Sequence, residues 1–204
     1  MLDAALRRLI DPPLDAAGQR LAAIGLSANA VTLGGFGLGL MAVPLLAVGA
    51  YGWALAAILA NRLADGVDGA IARAVGPSDF GGYLDIVCDF LFYAAVVFGF
   101  VLASPDNRLP GAFLLFAFIG TGGSFLAFAA LAARRGLESR ARGVKSLYYL
   151  GGLTEGSETI LLFILCCLFP EEFGLLAWIF GFGCWLTVLG RVLTARRLLA
   201  SPNR

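Results

Sequence analysis

Six apolar runs fill almost all of this 204-residue chain, near residues 29–50, 53–75, 80–103, 110–133, 147–169 and 173–195. Each is about as long as the 20 residues an α-helix needs to cross the hydrocarbon core of a bilayer. A helix also satisfies its own backbone hydrogen bonds, which lipid requires. With 59% hydrophobic and 14% charged residues, and a mean hydropathy of +0.85, the chain has too little polar surface for a soluble domain of this length. The expected fold is all-α, a polytopic membrane protein. Residues 26–204 form one domain of six transmembrane helices, and residues 1–25 precede it as an amphipathic juxtamembrane helix.

The basic residues set the expected orientation. Arg7, Arg8, Arg20, Arg134, Arg135, Arg140, Arg142, Lys145, Arg196, Arg197 and Arg204 lie before the first run, between the fourth and fifth, or after the last. The opposite loops carry Arg108 with Asp106, Glu171 and Glu172. An excess of lysine and arginine marks the cytoplasmic side, so both termini are predicted to face the cytoplasm. The first 25 residues hold charges and prolines rather than an apolar core, so no cleavable signal is expected. Within them Asp11 is placed to cap a helix starting at Pro12-Pro13. Leu14, Ala17, Leu21 and Ile24 recur at helical spacing opposite Asp15, Gln19 and Arg20. Such a segment lies along the membrane face or serves as a topogenic leader. The net charge of +1 gives no nucleic-acid signal. Cys88, Cys166, Cys167 and Cys184 all fall in apolar runs of a chain without histidine, and are expected to be small buried residues.

One stretch breaks the apolar pattern. DGVDGAIARAVGPSDFGGYLDIVCD, from Asp65 to Asp89, places five aspartates and an arginine where charges are costly. Asp65 and Asp68 are i, i+3, and Asp85 and Asp89 are i, i+4, so each pair lines one helix face. Gly76-Pro77 marks a turn between the helices, and Asp79 is expected to cap the second. The second run then descends to the cytoplasmic surface and the third rises from it, which brings four carboxylates to one depth. An oxygen-only donor set selects a hard cation, magnesium or manganese rather than zinc, and four carboxylates suffice for two ions. A pyrophosphate is the natural ligand of such a site. Gly66, Gly69, Ala70 and Ala72 leave the helix bare enough for close approach, and Arg73 supplies a phosphate-binding fork. Cys88 is expected on a different helix face. Ser27 or Asn29 is expected to cap the first span, and the glycines at 34, 35, 37 and 39 to serve close helix packing.

Asp65-xx-Asp68-Gly69-xx-Ala72-Arg73, seven further residues, then Gly81-xxx-Asp85-xxx-Asp89 resembles the signature of the CDP-alcohol phosphatidyltransferases, with all eight defining positions present. The resemblance implies phosphatidyl transfer from CDP-diacylglycerol to the hydroxyl of a small polar acceptor, with release of CMP, in phospholipid biosynthesis. Asp65, Asp68 and Asp85 would bind two divalent cations. Asp89 would be the general base and touch the second metal, while Gly69, Arg73 and Ser78 would meet the CDP moiety. Asn29 and Thr32 lie in the stretch that approaches the nucleotide from the first helix. The resemblance also implies a bacterial inner-membrane location, an active site facing the cytoplasm, and a homodimer.

The remaining in-span charges bear on the acceptor. Arg191, with Arg140, Arg142 and Lys145, would clamp a phosphorylated acceptor such as inositol phosphate or glycerol phosphate. Glu155 and Glu158, i, i+3 on the fifth run, suit an amino alcohol or a polyol. A buried ion-pair network joining Arg62, Arg191 and these glutamates is the structural alternative. Two other classes compete with the transferase. A cation transporter would use the same carboxylates for its cargo, and a membrane scaffold would use them for no chemistry.

Overall fold

The computed structural model describes residues 2–135 and 152–199, with side chains from residue 12 onward. Among these residues the chain is all-helical, with no strand. In order the helices are α1 (Leu2–Ala23), α2 (Ala28–Leu40), α3 (Ala42–Ala47), α4 (Tyr51–Val75), α5 (Asp79–Ala103), α6 (Arg108–Arg134), α7 (Gly156–Leu168) and α8 (Phe173–Leu199). Short 3₁₀ turns, Pro105–Asn107 and Pro170–Glu172, join α5 to α6 and α7 to α8.

Among the described residues, four stretches are long and apolar enough to cross a membrane: Ala28–Ala47, Asp79–Ala103, Pro105–Arg134 and Pro170–Leu199. The other two predicted spans differ for separate reasons. The 25-residue α4 is long enough but carries Arg62, Asp65, Asp68 and Arg73, which lower its hydropathy. The 13 residues of α7 cover only part of the fifth run, whose beginning lies outside the described residues.

Small residues set how closely the helices approach. A Cβ on Gly35 would strike the Ala64 side chain, which seats α2 on α4. A Cβ on Gly18 would lie 2.6 Å from that of Ala70, so α1 packs directly on α4, and Leu14 covers Gly66 beside this contact. The reading of four small residues beside Asp68 as one bare ligand face is thereby corrected. At 100° per residue, Gly66 and Ala70 turn toward α1, while Gly69 and Ala72 face an open cavity. The two prolines do not start α1 either. The helix runs through Pro12 and Pro13 from Leu2, so Asp11 lies inside it and is not its cap.

The core forms where α3, α4, α5 and α7 meet. It is built on Leu46, Ile58, Phe92, Val96, Phe100 and Phe163, all fully buried. Phe100 stacks on Phe173 at 4.7 Å, which extends the core to the start of α8. Against α6, α8 contributes aromatic pairs such as Phe113–Trp178 at 4.4 Å. Large apolar side chains elsewhere point outward, among them Trp53, Leu109 and Ile119, each at least 70% exposed. A soluble protein seldom carries so much exposed apolar surface, whereas lipid-facing helices require it.

Candidate active site

The site forms because α4 and α5 are an antiparallel hairpin. Gly76 closes α4 with φ +102°, a backbone conformation that favours glycine, and its N–H still bonds the Ala72 carbonyl at 2.9 Å. Pro77 follows, and the Ser78 hydroxyl then caps α5 by accepting the Gly81 N–H at 3.0 Å. Asp79 is the first helical residue rather than the cap, because the serine before it already fills that role. At the neighbouring helix start, Ser27 caps α2 through the Ala30 N–H at 3.2 Å. Asn29 is left facing a cavity.

Asp65, Asp68 and Asp85 converge, with one carboxylate oxygen from each lying within 4.8 Å of the others. Thr32 on α2 donates its hydroxyl to Asp68 Oδ2 at 2.6 Å. Asp89 lines the same small cavity, of about 10 Å³, room for one water-sized sphere. Its Oδ1, however, accepts a hydrogen bond from Arg62 Nη2 at 2.8 Å. The same guanidinium lies 3.7 Å from Asp65. Four carboxylates therefore face a single guanidinium, an excess of negative charge that a divalent cation would neutralise. Their oxygens are the donors a hard ion takes. Magnesium or manganese thus fits the residues present.

A second cavity of about 320 Å³ adjoins the first, and the two share Thr32, Asp68 and Asp85. Asn29, Gly69, Ala72, Ser78 and Gly81 also line it. Its volume is in the range of small-molecule sites. Of the predicted nucleotide contacts, Asn29, Thr32, Gly69 and Ser78 meet on this wall. Arg73 does not. Its guanidinium pairs with Asp15 of α1, with Nη2 2.7 Å and Nε 3.0 Å from Asp15 Oδ1.

The predicted acceptor residues divide. Arg140, Arg142 and Lys145 lie outside the described residues. Arg191 is buried between α8 and α6, where Nη1 donates to the Thr121 carbonyl at 2.9 Å and the guanidinium lies over Phe125. Glu155 and Glu158 organise the start of α7. Glu158 accepts the Glu155 N–H at 3.1 Å, and Glu155 accepts the Gly152 N–H at 2.9 Å. None of these three lines either cavity. The alternative network does not join Arg62 to the glutamates. Arg62 turns to the aspartates because α4 and α5 pair at its level, while the glutamates meet bare amides at a helix start.

Three features of the site escaped the sequence reading. Arg62 and Asp89 stand at nearly equal distances from the Gly76 turn, which in an antiparallel hairpin places them side by side. That count was available in the sequence. Asn61 accepts hydrogen bonds from Arg62 Nε at 2.8 Å and from Nη2, and donates to the Gly35 carbonyl at 2.9 Å. A buried asparagine in an apolar helix was the only signal for it. Cys88 lies in the wall of the small cavity rather than on another face, since only 60° of helix separates it from Asp85 at i, i+3. All four cysteines are buried and unpaired, as expected.

Comparison with known proteins gives a consistent result. The chain is 54% identical to the inner membrane protein YnjF of Escherichia coli (strain K12), over the whole of both chains. It is 33% identical over 110 residues to the archaetidylinositol phosphate synthase of Pyrococcus horikoshii, covering 48% of this chain and 52% of that one. Among solved structures it resembles phosphatidylinositol phosphate synthase of Mycobacterium tuberculosis. The form with CDP-DAG bound gives a TM-score of 0.67 at 21% identity, covering 90% of this chain and 93% of that one. The form with manganese and citrate gives 0.66 at 22% identity, covering 89% and 88%. Residues 25–192 match the CDP-alcohol phosphatidyltransferase family profile, a span that takes in both cavities and every aspartate of the site. The chain belongs to the CDP-alcohol phosphatidyltransferase family of enzymes.

Proposed function

We propose that this enzyme transfers the phosphatidyl group of CDP-diacylglycerol to a small phosphorylated polyol, inositol phosphate or glycerol phosphate, and releases CMP. The observation that carries this reading is the junction of the two cavities. A cluster of three aspartates suited to a divalent cation opens directly onto a 320 Å³ recess lined by small and polar residues. The archaeal and mycobacterial relatives, both named as synthases of inositol phosphate lipids, favour a phosphorylated acceptor.

Each residue has a role in this scheme. Asp65, Asp68 and Asp85 would hold magnesium or manganese, which when bound supplies charge to neutralise the diphosphate and stabilise the departing CMP. The sequence expectation of a second ion would add Asp89 to this set. Thr32 orients Asp68. Asn29, Gly69 and Ser78 shape the nucleotide recess. Arg73, half-exposed at the end of α4, reaches the phosphates by exchanging Asp15 for them. Asp89 takes the proton of the attacking hydroxyl. Arg191 would exchange the Thr121 carbonyl for the acceptor phosphate and clamp it with Arg140, Arg142 and Lys145, while Glu155 and Glu158 fix the helix start beside it.

The wider setting is a bacterial inner membrane. Residues 1–25 lie on its cytoplasmic face, residues 26–204 span it six times, and both termini and the site face the cytoplasm. The basic loops and the exposed apolar helix faces support this arrangement. A homodimer is the proposed assembly. On α2, a Cβ on Gly34 or Gly37 would have nothing within 4 Å among the described residues, which leaves room for close approach of a second copy.

The test is CMP release by purified protein from CDP-diacylglycerol with magnesium, across glycerol phosphate, inositol phosphate, inositol, serine and choline. Release stimulated by one of the two phosphates is the expected result. Release stimulated only by serine, choline or free inositol would reject the phosphorylated acceptor. No release with any of them would reject the transferase reading for this panel.

A further inference from the structure

Arg73 stands at the border between two faces of α4. At 100° per residue, Gly66 and Ala70 lie on one side of it around the helix, and Gly69 and Ala72 on the other. The first pair carries α1 and the second lines the nucleotide recess. The guanidinium reaches both. Its Nε and Nη2 donate to Asp15 Oδ1 at 3.0 and 2.7 Å, while Nη1 lies 3.4 Å from where a Cβ on Gly69 would sit. The docking of α1 is what brings Asp15 there. Leu14 just before it packs on Gly66, and Gly18 one turn later packs on Ala70, so Asp15 is presented beside the end of α4. These two apolar contacts hold α1 without help from the ion pair. The Arg73 and Asp15 side chains are 49% and 43% exposed, so parting them strands neither charge in a dry site.

We propose that Asp15 is a built-in competitor for the nucleotide phosphates, through which α1 sets how tightly the site holds its CDP-lipid and how readily it lets CMP go. The edge of the guanidinium that Asp15 occupies presents two parallel N–H donors, the pattern with which arginine grips a phosphate. A ligand in the recess gains Arg73 only by displacing Asp15, and Asp15 takes Arg73 back as CMP departs. Because Nη1 already lies over Gly69 on the recess side, the exchange needs only a turn of the guanidinium and no movement of α4. The proposal rests on the transferase reading, which names the occupant of the recess. An ion pair that only tied α1 to α4 has the opposite consequence: its loss would loosen the rim of the site and weaken nucleotide binding.

Calorimetric binding of CDP and of CMP to the full chain with magnesium tests this and needs neither acceptor nor turnover. Asp15→Asn keeps the volume and removes the charge. Both nucleotides should bind about two- to fivefold more tightly to it, the fold-change that an exposed ion pair is worth, and CMP should inhibit turnover at correspondingly lower concentration. Asp15→Ser, which also lacks the charge, should give the same tightening. Arg73→Ala should weaken CDP binding, and adding Asp15→Asn to it should change nothing further, because Asp15 acts through Arg73. Unchanged or weaker CDP binding in both Asp15 variants would overturn the proposal. So would a tightening that persists without Arg73, since Asp15 would then act only as a nearby negative charge. Wild-type protein that binds no CDP in magnesium would overturn the nucleotide reading of the recess, and the proposal with it.

Discussion

Asp68 is the carboxylate whose direction the fold controls most tightly. It is 6% exposed, and a hydroxyl from another helix holds its Oδ2. Thr32→Val keeps the shape of that residue and removes the donor. Because partners of metal ligands orient them, Mn²⁺ affinity should fall by about 10-fold in titrations of the purified variant. An unchanged affinity would show that Thr32 serves α2 alone. Asp89→Asn should abolish turnover while CDP-diacylglycerol still binds, since the change removes a proton acceptor without changing volume. Full activity in that variant would remove Asp89 as the base. The aspartates were legible in the sequence because lipid makes each charge conspicuous and their spacing fixes a helix face. Their neighbours were less so. Arg62, Asn61 and Thr32 acquire their roles from helices 26 to 36 residues away in the chain, and periodicity within one helix says nothing about those pairings.

At the scale of elements, the site depends on how closely α2 and α1 reach α4. Gly35→Val would drive a branched side chain into Ala64. That overpacking should cost about 1–3 kcal/mol, seen as a lowered melting temperature, and it should also disturb Asn61, whose anchor is the Gly35 carbonyl. Gly76→Ala should destabilise by about 1 kcal/mol because its φ of +102° suits glycine. The same change at Gly34, a helical position where nothing lies within 4 Å, should instead raise the melting temperature slightly, through about 0.5–1 kcal/mol of added stability. The α4–α5 hairpin was predictable from Gly76-Pro77, and packing was the right reading for Gly35 and Gly39. The division of the small residues beside Asp68 was not predictable. Gly66 and Ala70 serve α1, and only the position of α1 distinguishes them from Gly69 and Ala72.

For the whole molecule, the helical class followed from hydropathy alone, while four of the six predicted spans are long and apolar enough among the described residues. The 25 residues of α4 extend about 37 Å, more than the hydrocarbon thickness, yet the functional charges within it make it look soluble by composition. Orientation can be read by cysteine labelling, because the native cysteines are all buried. Asp106→Cys should react with a membrane-impermeant maleimide on intact cells, and Ile24→Cys only after permeabilisation. The reverse pattern would place the site on the outer face. In the proposed reaction the lipid-bearing phosphorus is the one transferred. CDP-diacylglycerol labelled with ³²P at that phosphorus should pass its label, with magnesium and the productive acceptor, into a new phospholipid and leave CMP unlabelled. Label recovered in a water-soluble nucleotide, or transfer that proceeds without any divalent cation, would rule out cation-assisted phosphatidyl transfer.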